Sequence, residues 1–376
     1  MKNNNIIYLD NAATTKVKDE VVALFVETEK DNFANPNSIH ALGVYNAKKI
    51  DNARGSILSS FKLKRHKVIF TSSSTEANNL AIKGYCLNYQ NRGKHIITTN
   101  IEHSSVLECF KQLKDKFGFD VTILPVNSKG VVSPKQVEDA MRKDTILVSI
   151  MAVNNEIGSI NPINEIADVV HKYPKANLHV DTTQAIGKIK LDYDKLDMFV
   201  VSSHKIGGLK GSGAFIYKSS LSFLPLLSGG GQEDGFRSST VSIANAVTIA
   251  KAINLALKED TSKAKELKKH LIDGLKDIPG IELNSDEDCS PYIVNFSLLD
   301  KKASVVVEDL SNKGIYVSSV SACNSKKEAS SYVVKALGRD DKLAHNTLRV
   351  SFSNENTLEE VDIFLKELKQ TLESIR

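Results

Sequence analysis

The sequence predicts an α/β fold built on a mostly parallel sheet, and three observations lead to it. Short apolar runs recur between residues 68 and 201, with helical segments separating them. Five of these runs end in polar side chains, as strands do when their carboxyl ends border a ligand crevice. The chain's 376 residues exceed the length at which a single core stops growing, so two lobes are expected.

Composition excludes several function classes. Hydrophobic content of 41% and charged content of 25% belong to an ordinary globular protein. The net charge of +4, with no dense basic run, argues against direct nucleic-acid binding. No apolar stretch approaches membrane-spanning length, and the opening MKNNNIIYLD lacks a signal-peptide core. Cys86, Cys109, Cys289 and Cys323 form no CxxC pair and no metal-ligand spacing. The expectation is a cytoplasmic enzyme with reduced thiols, no metal centre and no membrane attachment.

In order, IIYLDNAATT (6–15) reads as a short strand and a polar turn. Asp19 to Lys30 has helical spacing at Val21, Val22, Leu24, Phe25 and Val26. FANPNSIH (33–40) is turn chemistry, with Ser38 or Asn37 able to cap the next helix. A strand, Val68 to Phe70, runs into five small hydroxyl residues before a helix predicted to begin at Glu76. Such a turn suits a phosphate, and equally an ordinary serine-rich cap. The strand His95 to Thr99 leads to a loop with Glu102 and His103, then a helix. Val121 to Val126 and Thr145 to Val153 are further strands, the second ending at Asn154, Asn155 and Glu156. LHVDTTQAIG (178–187) ends in the same way, with Asp181 and Gln184.

Met198 to Val201 is a buried strand that stops at Ser202, Ser203, His204 and Lys205, followed by Gly207, Gly208, Gly211 and Gly213. A lysine there is either a solvated surface residue or a Schiff-base lysine in a pocket. A long polar loop (223–240) follows, then one helical stretch, Ala244 to Lys276, as a bridge to a second lobe. That lobe shows strands near Ile293 to Leu298 and Leu348 to Phe352, and a closing amphipathic helix from Glu359. Between the strands lie a helix, a short strand and Cys323, in a small polar loop expected to move. Its neighbours Ser318, Ser319, Ser321, Asn324, Ser325, Lys326 and Lys327 suit a reactive thiol better than a core one, and the two lysines favour a thiolate.

The ordered blocks NPNSIHALG, FTSSSTEANNLAIKG, EHSSVLE, MAVNNEIG, HVDTTQAIGK, SSHKIGGLKGSGAF, GGGQEDGFRSST, SPYIVNFSL, SSVSACNS and LRVSFS resemble the cysteine desulfurases. These are a branch of the class V pyridoxal-phosphate aminotransferases, and the resemblance covers nearly the whole chain. It implies the fold type I architecture of pyridoxal-phosphate enzymes: a large domain (15–255) with a seven-stranded, mostly parallel sheet, and a smaller α+β domain (1–14 and 256–376). It implies pyridoxal 5'-phosphate as cofactor, L-cysteine as substrate and a homodimer.

The resemblance places Ser74, Thr75, Ser202 and His204 at the cofactor phosphate, with Thr240 reaching in from a second subunit. Lys205 would hold the cofactor covalently, and Asp181 would face its ring nitrogen. Gln184 and Asn155 would bond the ring hydroxyl, His103 would lie over the ring and shuttle the thiol proton, and Arg349 would take the substrate carboxylate beside Asn155. Cys323 would accept the sulfur as a persulfide. Without the resemblance, His103 reads as a helix-start residue and Arg349 as a strand-end arginine. Ser73, Ser239 and Val320 stand where the family commonly has glycine, and are expected to restrict the local backbone.

The resemblance implies a sulfur-acceptor protein, either a tRNA-thiolation enzyme or an iron–sulfur scaffold; the longer tail by which some relatives dock the scaffold is missing, which puts general cluster assembly in doubt and leaves a dedicated acceptor in play. Within the same fold, a selenocysteine lyase or another β-lyase is an alternative, as is a catalytically silent binding subunit.

Overall fold

The computed structural model describes residues 6–319 and 330–374. Its strands are β1 (Ile7–Tyr8), β2 (His66–Thr71), β3 (His95–Thr99), β4 (Asp120–Leu124), β5 (Thr145–Ser149), β6 (Asn177–Asp181) and β7 (Met198–Ser202). Then come β8 (Gly213–Lys218), β9 (Ile281–Leu283), β10 (Ile293–Leu298), β11 (Ile315–Tyr316), β12 (Ser318–Ser319) and β13 (Thr347–Ser351). A seven-stranded sheet has the order β2-β8-β7-β6-β5-β3-β4. Strands β4, β3, β5, β6 and β7 run parallel, and β8 is antiparallel to both β7 and β2. Six of the seven therefore end at one edge.

The sheet is covered on both faces, and β7 shows why. Side chains alternate along a strand. Phe199 and Val201 enter a core with Ile57, Ile249 and Ile253, whereas Met198 and Val200 enter another with Tyr85 and Phe110. A strand buried on both sides must be apolar throughout, as Met198–Ser202 nearly is.

A second sheet, β12-β13-β10-β9, is antiparallel throughout. Its core contains Leu267, Leu271, Phe296, Leu348 and Phe364, joined by Ile7 and Leu9 from the start of the chain. That segment is stitched in by β1 pairing with β11 and by the Leu9 and Asn11 amides, which donate to the carbonyls of Tyr316 and Ser351. Val333, Val334, Leu337 and Ala344 instead pack into the large sheet's core.

Several local expectations are corrected. The helix after 33–40 is capped by His40, whose Nδ1 accepts from the Gly43 amide at 3.2 Å, and not by Ser38 or Asn37. The helix after β2 begins at Ser74, two residues before Glu76, because the Ser73 hydroxyl accepts the Glu76 amide at 3.2 Å. It runs on through a π-turn (Leu80–Gly84) to Tyr89. The bridge to the second sheet is two helices, Ile243–Ala256 and Ser262–Lys276, rather than one. Strand β8 lies in a stretch for which no strand was expected. The helix Asp19–Asp31 buries Val21 and leaves Val22 and Val26 exposed. Among the described residues no helix is long and apolar enough to cross a membrane.

Candidate active site

Polar groups gather where six strands end. After β2 the chain turns through Ser72 and Ser73 into the helix that starts with Ser74 and Thr75. Ser73 has φ −170 and ψ 166, extended backbone that any residue adopts, so its replacement of a common glycine costs nothing here and adds a helix cap. The glycine that matters is Gly213 at the start of β8. A Cβ there would lie 2.7 Å from the Ser73 carbonyl carbon, so the close approach of β8 to this turn requires glycine.

Asp181 ends β6. Its Oδ2 accepts from Asn78 Nδ2 and its Oδ1 from the Thr183 amide, both at 2.9 Å. Asn78 also donates to Ser105 Oγ at 2.9 Å, leaving that hydroxyl free to donate to His103 Nδ1 at 2.8 Å. The Ser105 amide donates to the same nitrogen. With Nδ1 accepting, neutral His103 carries its proton on Nε2. His103 is both a helix cap and the neighbour of a cavity of about 440 Å³ bordered by Thr75, Ser104 and Ser105.

Lys205 lies on the 3₁₀ turn Ser203–Lys205 after β7, and its Nζ donates to the carbonyls of Ala12 and Ala13 at 2.7 and 2.5 Å. Gln184 Nε2 donates to the same Ala12 oxygen at 2.9 Å. His204 Nδ1 is 3.2 Å from Thr14 Oγ1. Burial, with the charges of Lys205 and Lys210 beside it, pulls the His204 pKa down to about 4 and keeps the ring neutral near pH 7. Ser202 Oγ and Ser203 Oγ are buried with no partner among the described residues.

The second sheet contributes Arg349 from β13. Its guanidinium donates to Asp10 Oδ1 at 2.7 Å and to the Asn155 carbonyl at 2.9 Å, while its buried Nε has no partner among the described residues. Two of five donors are thus engaged. Asp10 and the Asn155 carbonyl fix Arg349 while leaving donors for an incoming carboxylate.

Two of the predicted residues stand apart. Thr240 is exposed, on a loop tied down by contacts remote from its hydroxyl. Cys323 lies outside the described residues, as does Val320. The described chain on either side of 320–329 does reach this region. Ser318 pairs with Arg349, Ser331 Oγ donates to Glu156 Oε2 at 2.6 Å, and Tyr332 OH donates to the Glu102 carbonyl at 2.6 Å.

Asp10, Ala12, Asn78 and Ser105 escaped the sequence reading. Asn78 is fully buried and bonds to Asp181 across 103 positions of chain, which nothing in the local sequence signals.

The sequence profile of the aminotransferase class-V family matches residues 7–364. A NifS/IcsS protein homolog of Lactobacillus delbrueckii subsp. bulgaricus is 39% identical over 368 residues, covering 96% of this chain and 95% of that one. Cysteine desulfurase IscS of Methanosarcina thermophila is 38% identical, covering 99% and 93%. A solved structure described as a NifS-like protein superposes with a TM-score of 0.91 at 34% identity, covering 99% of this chain and all of that one.

Proposed function

We propose that this chain, a member of the aminotransferase class-V family similar over its full length to cysteine desulfurases, is itself a cysteine desulfurase that binds pyridoxal 5'-phosphate at Lys205 and passes sulfur from L-cysteine to Cys323. The residues present fit that cofactor. Ser202 Oγ is buried without a partner among the described residues, at the end of a strand packed against the helix that starts at Ser74, as a phosphate would need. Asp181, held by Asn78 and Thr183, offers a carboxylate to a protonated ring nitrogen.

When bound, the cofactor supplies an electron sink for charge developing at the substrate Cα. Lys205 takes the Cα proton at Nζ, and Arg349 orients the substrate through its carboxylate. His103 moves the thiol proton at Nε2. The Cys323 thiolate forms the S–S bond as the substrate Cβ–S bond breaks, and the carbon takes a proton to become the methyl group of L-alanine. Ser74, Thr75 and His204 serve the phosphate in this reading, and Gln184 and Asn155 the ring hydroxyl.

The observation that carries the assignment of Cys323 is the pair of bonded flanks. Ser318 lies opposite Arg349, and Ser331 and Tyr332 are bonded beside Asn155 and His103. Cys323 itself lies outside the described residues, and only these flanks support its role. Residues 15–255 are the cofactor lobe in this reading, and residues 1–14 with 256–376 the lobe that brings Cys323. Exposed Phe33, Ile39, Leu42, Val44 and Tyr45 support a homodimer in which Thr240 serves the partner's phosphate. The sulfur then passes, in the cytoplasm, to an acceptor protein such as a tRNA-thiolation enzyme or an iron–sulfur scaffold.

The test is Cys323→Ala. This variant should keep the yellow, borohydride-reducible cofactor, which Lys205→Ala loses, yet release neither alanine nor sulfide from cysteine. Desulfuration at the wild-type rate would replace the persulfide route by a direct lyase.

A further inference from the structure

We infer that Lys188 is a positioning residue for the cofactor site: from the wall of a cleft behind it, Lys188 fixes the orientation of the Gln184 carboxamide and sets a cation behind Lys205. The inference rests on the cofactor reading of Lys205. Lys188 Nζ donates to Gln184 Oε1 at 2.9 Å. A lysine cannot accept a hydrogen bond, so this contact decides the amide. The oxygen faces Lys188, and the NH₂ group faces the Ala12 carbonyl, 2.9 Å away. That carbonyl also accepts from Lys205 Nζ at 2.7 Å. One amide and one carbonyl therefore join the two lysines, and Gln184 can only present a donor to a ring oxygen.

On its other side Lys188 lies over the Tyr292 ring, 5.7 Å from its centroid. It also borders a cleft of about 1010 Å³ shared with Ile160, Leu257, Glu259 and Lys268. Lys188 makes no ion pair among the described residues. The charged groups facing it are Lys205, Arg349 and Glu259. Arg349 is bonded to Asp10, and Glu259 is paired with Lys18.

A half-buried ammonium with no ion pair among the described residues is costly, and an apolar side chain of similar size would serve packing better. The charge itself is then what the site uses. Burial first, and the like charge of Lys205 second, bring the Lys188 pKa down to about 7. When charged, Lys188 repels a proton on the nitrogen that links Lys205 to the cofactor; when neutral, it does not.

Three variants test this on holoenzyme, with the pH titration of the chromophore's absorbance and cofactor affinity as readouts. Lys188→Met removes both charge and donor. The titration midpoint should rise by about 1 unit, and cofactor affinity should fall several-fold. Lys188→Gln loses the charge and keeps a donor, so the midpoint rises while affinity holds. Lys188→Arg is always charged, so its midpoint lies at or below that of the wild type. A midpoint unchanged in all three, or moved in one direction by all three as general disruption would, overturns the inference. A wild-type protein that forms no chromophore would instead overturn the cofactor reading.

Discussion

Glu102 shows how a single buried group sets a pH response. It is fully buried beside His103. Its Oε1 accepts from Thr99 Oγ1 at 2.7 Å and the Met151 amide at 3.0 Å, and its Oε2 has no partner among the described residues. Burial raises the pKa from an ordinary 4.5 to about 8, so the folded protein holds this proton where an unfolded chain releases it. Folding then binds a proton between those two values. The contribution to stability is complete below pH 4.5 and is lost as pH rises toward 8. His204, pulled down to about 4, has the opposite sign: its contribution falls away as pH drops below its ordinary 6.5. Glu102→Gln isolates the first effect. Its melting temperature should fall less between pH 5 and 8 than that of the wild type, and superimposable profiles would show that the carboxyl titrates alike in both states.

Among the elements, the loop over residues 224–242 has a rigid root and an exposed end. Glu233 accepts from Arg54 at 2.7 Å and from the Phe70 amide at 2.9 Å, and Arg237 Nε donates to Glu76 at 2.7 Å. Thr240, just beyond, faces outward. If it completes a partner's phosphate site, Thr240→Val should weaken cofactor binding by about 1–3 kcal/mol, the cost of a charged acceptor left short of a donor. A mixed dimer of one Lys205→Ala chain and one Thr240→Val chain decides whose site it serves. Both lesions fall in one site if Thr240 crosses over, so the other site binds normally. Weak binding at the reducible site would show that Thr240 serves its own chain.

Legibility at this scale followed local patterning. Strands β3, β6 and β7 were readable because their apolar runs stop at polar groups. Strand β8 was hidden, since GAFIYK follows directly on a glycine-rich turn. The helix break at 257–261 contains Leu, Lys and Glu, which are all helix formers. There the Lys258 and Glu259 amides turn to the carbonyls of Leu255 and Ala256, and Glu259 leaves to meet Lys18. A tertiary contact ended what propensity would have continued. Asp10 and Asn78 were illegible for the same reason, because their partners lie far off in sequence.

On the scale of the whole molecule, the two most exposed of the large apolar side chains lie in one stretch. Phe33 is 80% exposed and Ile39 99%, more than scattered surface residues would explain. With a second copy covering them, Ile39→Asp should weaken the dimer at least tenfold, about 1.4 kcal/mol, as sedimentation would show. Cofactor affinity at low protein concentration should fall with it. An unchanged sedimentation profile would place the contact elsewhere.

The stitching of the opening segment has a consequence for how the protein comes to be made. Asn11 bonds to the Ser351 carbonyl across 340 positions of chain, and next to it Ala12 and Ala13 hold the amine of Lys205. During synthesis the large sheet can close once β8 has emerged, long before β13 exists. Until then the segment that steadies Lys205 has no strand to dock against, and pairing over so long a separation is slow to form. The nascent chain therefore carries Lys205 well before the carbonyls that hold its amine are docked, and that contact waits on β13.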